Sequence, residues 1–264
     1  MNTNSFKATT YLQYLTKRRT IQNIHSPFMF SLMETVFDDS KKNWPSFFTA
    51  LEILRKKMVN SDEKIEFEDF GAGGDKKKER LLSISTIASK TVKQAKYARF
   101  LYRLVLFSKS QQIVELGTSL GITTAYLALV DLKAKVHTVE ADRNIQMIAR
   151  ENWNELNLKN IQSYCFDLNE GWNLLASRIN KIDFLFIDAN HRKEAMIRYA
   201  LQAMPYIHEQ SVIVLDDIHW SEETLEAWNI LKARKEVTLS FDIYQMGLLF
   251  FDSKLSKEDF TLKY

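Results

Sequence analysis

From about residue 92 onward the chain alternates two rhythms. Short β-rich runs, QIVEL, KVHTVE, IQSYCF, DFLFI and SVIVL, are separated by stretches with helical spacing, as in Met196, Tyr199, Ala200 and Ala203. A strand that is followed by a helix and then by another strand is carried back to the same end of a sheet, so the alternation dictates a mostly parallel sheet with helices on both faces. The final two runs, VTLSFDIY and MGLLFF, are separated by a residue or so around Gln245. A connection that short excludes a parallel crossover, and these strands must pair antiparallel.

Before residue 92 the rhythm is different. FMFSLMETVF and FFTALEILRKKMV place apolar residues three and four apart, which predicts helices and no second series of strands and helices. The expected organisation is a helical N-terminal extension over 1–91 and one α/β domain over 92–264. With 264 residues, 45% of them apolar, the chain is long enough to bury one sizeable core. The single cysteine, Cys165, excludes an internal disulfide, and MNTNSFKATTYLQYL lacks the apolar segment of a secretion signal, so a cytoplasmic protein is expected. No apolar run approaches the roughly 20 residues that span a bilayer. A net charge of +3 is too small to argue for nucleic acid, although the first 33 residues hold Lys7, Lys17, Arg18 and Arg19 and no acidic residue.

Two glycine loops compete to open a cofactor site. DFGAGG at 69–74 is followed by DKKKER, charged throughout, whereas ELGTSLG at 115–121 is followed by the apolar ITTAYLALV. A cofactor loop needs a strand before it and a packed helix after it, whose free N–H groups face the ligand. The second loop meets both conditions. The first reads as a turn outside the sheet, with a lid over the site as its alternative. The strand after the second loop ends in Glu140, placed to accept hydrogen bonds from the two hydroxyls of a ribose. An adenosine-containing cofactor follows. Glu115, Gly117 and Gly121 form E-x-G-x-x-x-G, not the G-x-G-x-x-G that draws a helix N-terminus to a pyrophosphate. This favours S-adenosylmethionine over a dinucleotide.

VELGTSLGITT, HTVEA, FLFIDANH and VIVLDDIHW, in this order, resemble the class I S-adenosylmethionine-dependent methyltransferases over residues 92 to 264, and among them most the catechol O-methyltransferase group. With HSPF at 25–28 and DFGAG at 69–73, the whole chain is similar to a bacterial branch of these enzymes; the sequence assigns neither segment a role. The resemblance implies a Rossmann-like methyltransferase fold, with a doubly wound seven-stranded sheet whose last strand is antiparallel. It implies that Glu115, Gly117, Thr118, Ser119 and Gly121 surround the methionine part of S-adenosylmethionine, that Glu140 holds the ribose, and that Asp167 sits beside the adenine. A helix N-cap is the alternative for Asp167.

Asp188 ends the fourth strand, and Asp216 and Asp217 end the fifth, which would bring three carboxylates together near the transferable methyl. In the resembling group the matching residues bind magnesium together with the substrate's oxygens. A divalent ion there would acidify the attacking hydroxyl and orient it. Asp217 departs from the asparagine common in the group, and His191 stands three residues after Asp188 where a basic lysine is expected. His191 is therefore the candidate base, a metal-shell residue or a helix cap, with Lys193 a weaker candidate base. His219 and Trp220 are candidates to line the acceptor site.

The expected function is methylation of an oxygen on a small molecule, with the extension covering the site and Mg2+ or another divalent cation assisting. The alternatives are an RNA methyltransferase, a non-catalytic cofactor binder, and, more remotely, an NAD-dependent oxidoreductase. IDANH lacks the N/D-P-P-Y/F pattern of amine methylation on bases, which counts against a nucleic-acid substrate. No membrane partner is expected, and a homodimer is the candidate assembly.

Overall fold

A computed structural model of the chain describes residues 3–18, 26–38, 44–68 and 79–264. The β-rich runs form a sheet of eight strands: β3 (Gln112–Leu116), β4 (Lys135–Glu140), β5 (Ile161–Cys165), β6 (Ile182–Ile187), β7 (Ile207–Asp216), β8 (Leu239–Asp242), β9 (Met246–Phe250) and β10 (Glu258–Thr261). Their spatial order is β10-β8-β9-β7-β6-β3-β4-β5. The strands from β3 to β7 pair in parallel, and β9 runs antiparallel to both β7 and β8. The expected doubly wound architecture is present, with one correction: β10 adds an eighth strand at the edge, parallel to β8. Glu258, Asp259 and Thr261 are polar, so this edge strand carries no apolar alternation to announce it.

The sheet is buried on both faces, and its residues sort by parity. Ile113, Val136, Phe184, Phe186, Val212 and Val214 belong to one apolar cluster. Val114, Leu116, Val139, Leu185, Ile187, Ile213 and Leu215 belong to the other. Successive side chains of a strand point to opposite faces, which is why Phe-Leu-Phe-Ile is apolar without interruption. The first face packs against α5 (Ala95–Ser108), α6 (Ile122–Ala128) and α7 (Arg143–Glu155), and the second against α8 (Leu168–Ala176), α9 (Lys193–Ala203) and α10 (Glu222–Lys232).

The N-terminal extension shares the first core. Met29 and Leu32 of α2 (Pro27–Leu32), Met33 and Val36 of a π-helical turn, Leu51 and Leu54 of α3 (Phe47–Val59), and Ile84 and Ile87 of α4 (Ile84–Thr91) are all buried in it. The extension is not wholly helical, however. β1 (Lys64–Glu68) and β2 (Glu79–Ser83) form a separate antiparallel ribbon, and the DFGAGG loop between them lies outside the described residues. Helix α1 (Thr3–Lys17) crosses to the far end of the chain: the Tyr14 hydroxyl donates to the Leu262 carbonyl at 2.5 Å, and the Tyr244 hydroxyl to the Lys7 carbonyl at 2.9 Å. No described helix is long and apolar enough to cross a membrane.

Candidate active site

In an open parallel sheet the crevice lies beyond the carboxyl ends of the strands, where the strand order reverses. Here β3 lies between β4 and β6, and a cavity of about 510 Å³ opens above their ends. Gly117, Ser119, Glu140, Asp167, Asp188, Asn190, His191, Asp216 and Asp217 line it from the sheet side; Thr91, Lys93, Gln94 and Tyr97 line it from the extension and α5.

The loop after β3 takes its shape from backbone geometry. Gly117 has φ +100°, and a Cβ there would sit 2.1 Å from the Asp188 carbonyl oxygen. No other residue type fits between these two strand ends. Ser119, with φ 48°, donates its N–H to Glu140 Oε2 at 2.8 Å, while Asp142 N–H donates to Oε1 at 3.1 Å. Burial pushes the Glu140 carboxyl above its ordinary value, and these backbone donors pull it back. Each Glu140 oxygen accepts a backbone N–H and keeps further acceptor capacity, and the residue lines the cavity, which suits a ribose diol.

Three residues expected at the cofactor do other work. Glu115 is fully buried and does not line the cavity; its Oε2 accepts from Thr124 Oγ1 and Thr138 Oγ1. Burial raises it to about 8, the two hydroxyls lowering it only in part, so it is mostly protonated at neutral pH. Thr118 is buried with its Oγ1 2.6 Å from that of Thr138. Gly121 starts α6 at φ +75°, and a Cβ there would fall 2.6 Å from Trp153 Nε1, which donates to the Gly121 carbonyl. These residues shape the loop from beneath. Asp167 caps α8 by accepting from Asn169 N–H at 2.8 Å, and it also lines the cavity.

On the acceptor side the carboxylates have a cation among them. Lys93, in the turn before α5, places its ammonium on Asp216 Oδ2 and 3.4 Å from Asp188 Oδ2, with its side chain 9% exposed. Burial pulls this amine down, but Asp188, Asp216 and Asp217 outweigh it and hold it above the ordinary lysine value. Asp217, at φ 52°, is turned to Gln245, whose Nε2 donates to its Oδ1 at 2.7 Å. Among the described residues no group of three or more His, Cys, Asp or Glu side chains is arranged to hold a metal ion. Where Asp188, Asp216 and Asp217 were expected to hold a divalent ion, the Lys93 ammonium sits on Asp216 and Asp188.

His191 lines the cavity with Nε2 3.7 Å from Asp188 Oδ1. It does not cap α9, whose N-cap is Arg192. Lys193 is displaced from the site. It pairs with Glu226 at 2.7 Å on the surface and does not line the cavity, which removes it as a base. His219 is buried, bonded to Asp242 at 2.8 Å and stacked on Tyr244, whereas Trp220 lines the cavity beneath the Lys7 ammonium, 3.0 Å from its ring. Lys93, Tyr97 and Gln94 were not legible as site residues. TVKQAKY carries no glycine or acidic signature, and Lys93 is 123 positions from Asp216.

Comparison with known proteins agrees with this geometry. Residues 114–218 match the family model of a methyltransferase domain. A tRNA (guanine-N(7)-)-methyltransferase of Mycoplasma mobile is 26% identical over 167 residues, covering 59% of this chain and 77% of its own length. An O-methyltransferase from Bacillus cereus, solved with SAH, superposes with a TM-score of 0.58 at 16% identity over 88% of this chain and all of that one. The O-methyltransferase TomG of Streptomyces achromogenes, involved in tomaymycin synthesis and solved with SAM, gives a TM-score of 0.54 at 17% identity, over 61% of this chain and 82% of that one. Residues 114–218 thus resemble a methyltransferase domain, set in a chain whose fold is shared with solved O-methyltransferases.

Proposed function

We propose that this protein is an S-adenosylmethionine-dependent O-methyltransferase acting on a small molecule in the cytoplasm. The observation that carries the reading is the junction of Gly117, Ser119 and Glu140: a side-chain-free turn against the Asp188 carbonyl, with a carboxylate held by two backbone N–H groups at the cavity wall. The fit to the nucleoside is chemical as well as spatial. Glu140 offers an acceptor for vicinal hydroxyls, Asp167 lines the same cavity with a carboxylate that suits an adenine amine, and the cavity is of the size that small-molecule sites have.

S-adenosylmethionine supplies a methyl carbon on a sulfonium, which an in-line oxygen displaces. The chain's task is to orient that oxygen, take its proton and exclude water. His191 accepts the proton, and Asp188, 3.7 Å away, stabilises the imidazolium as it forms. Trp220, Tyr97 and α1, joined through Lys7, close the acceptor side. No metal step is needed in this scheme.

The Mycoplasma mobile relative supports a second reading, RNA methylation. The basic residues of α1 bear on it, but Lys7 is engaged with Trp220 and partly buried, not presented to a backbone. Titration calorimetry with S-adenosylmethionine and with NAD tests the main reading: micromolar binding of the first is expected, and binding of NAD alone overturns it. A shift of labelled RNA at physiological salt would instead favour the second.

A further inference from the structure

The cluster at the ends of β6 and β7 poses an electrostatic question. Asp188, Asp216 and Asp217 come from adjacent strand ends, and Asp216 is 1% exposed. Uncompensated anions at such a depth are costly, and either a proton or a cation must relieve them. The resemblance drawn from the sequence would have a divalent ion there. The structure has Lys93 instead, reaching in from the turn between α4 and α5, where the fold keeps its stem buried and its ammonium on Asp216 and Asp188.

We propose that the Lys93 ammonium is the permanent cation of this acidic cluster, in place of a divalent metal, and that it orients the acceptor oxygen of a metal-independent methyl transfer. The inference rests on the methyltransferase reading of the site. An ammonium has three N–H donors. Asp216 takes one and Asp188 Oδ2 lies 3.4 Å away as an ion pair, which leaves a donor for one oxygen of the acceptor, since Lys93 lines the cavity. A chelated ion would need two adjacent acceptor oxygens, whereas an ammonium needs one. The positive charge also stabilises negative charge developing on that oxygen as it loses its proton. In the transfer itself the oxygen forms a bond to the methyl carbon, the carbon–sulfur bond breaks, and sulfur keeps the electron pair as a neutral thioether. The released proton passes to His191.

The geometry also explains two departures from the resembling group. Asp217 adds a third negative charge where asparagine is common; here it faces Gln245 and adds to the field that holds Lys93. The lysine absent three residues after Asp188 has no counterpart on α9, because Lys193 points to the surface. The cation arrives from the opposite side of the cleft.

The test is calorimetric titration of the full chain with MnCl2 and with MgCl2, for the wild type, Lys93→Ala and Lys93→Met. The wild type should show no saturable heat up to millimolar metal, and its S-adenosylmethionine affinity should be the same with and without EDTA. A folded Lys93→Ala or Lys93→Met, with the carboxylates exposed to each other, should bind Mn2+ at least tenfold more tightly than the wild type. Saturable Mn2+ or Mg2+ binding by the wild type overturns the proposal, as does a folded variant that gains none. If neither variant folds, the wild-type titration decides alone. Failure to bind S-adenosylmethionine would strike the methyltransferase reading, and metal binding by the wild type would strike only this one.

Discussion

The Asp188 carbonyl oxygen lies 2.1 Å from where a Cβ on Gly117 would be, so the turn after β3 and the end of β6 are fitted to one another through the missing side chain. Gly117→Ala would have to separate these strand ends and would also place a side chain at φ +100°, where only glycine is at ease. A loss of about 2 kcal/mol or more of stability is expected, together with weakened cofactor binding. Denaturant unfolding and calorimetry on the same sample check it; a melting curve like the wild type's would show that the turn has room.

Glu140→Ala removes the acceptor offered to the ribose. Hydrogen bonds to a charged group contribute about 1.5–3 kcal/mol, so S-adenosylmethionine affinity should fall roughly ten- to a hundredfold. Ser119 and Asp142 N–H groups lose their partner as well, so a thermal melt should accompany the titration. Unchanged affinity would place the sugar elsewhere.

Glu115 predicts a pH dependence. Its ordinary value is 4.5 and its folded value about 8, because burial disfavours the carboxylate. A carboxyl raised by folding stabilises the protein while protonated. The contribution is complete below about 4.5 and fades as pH rises through 8, since the unfolded chain releases this proton first. Glu115→Gln keeps a neutral acceptor for Thr124 and Thr138 and should flatten the fall in stability between these values. Urea unfolding at a series of pH values reads the difference; parallel curves for the two proteins would refute the assignment.

Lys193→Ala and His191→Ala should separate. Lys193 is an exposed partner of Glu226, and its loss should leave turnover and melting temperature unchanged. His191 lines the cavity beside Asp188, and removing a general base lowers turnover by about a hundredfold or more with cofactor affinity kept. Methyl transfer from labelled cofactor measures both, and equal loss in the two variants would contradict the geometry.

Most of the sheet was legible because burial on both faces leaves an unmistakable imprint: no polar side chain interrupts Phe184–Ile187. The loop glycines were legible for the same reason that Gly117 is irreplaceable. The functional partition around them was less so. Glu115 and Glu140 lie on the same face of the sheet, since Glu115 is level with Thr138, but Glu115 sits one residue inside the end of β3, buried against Thr124 and Thr138, whereas Glu140 is the last residue of β4 and lines the cleft. Lys93 left no local signal at all, since its meaning comes from carboxylates that only folding brings near. β10 and the β1–β2 ribbon were hidden by polar residues and by their separation from the main rhythm.

The Tyr14–Leu262 hydrogen bond spans 248 positions. A ribosome releases residue 262 long after residue 14, so α1 must wait undocked while the residues between them are made, and its seat exists only once the β8–β10 edge has closed. Completion of the acceptor side is thereby tied to the β8–β10 edge: a product cut before residue 262 could assemble the cofactor half yet never acquire its cover.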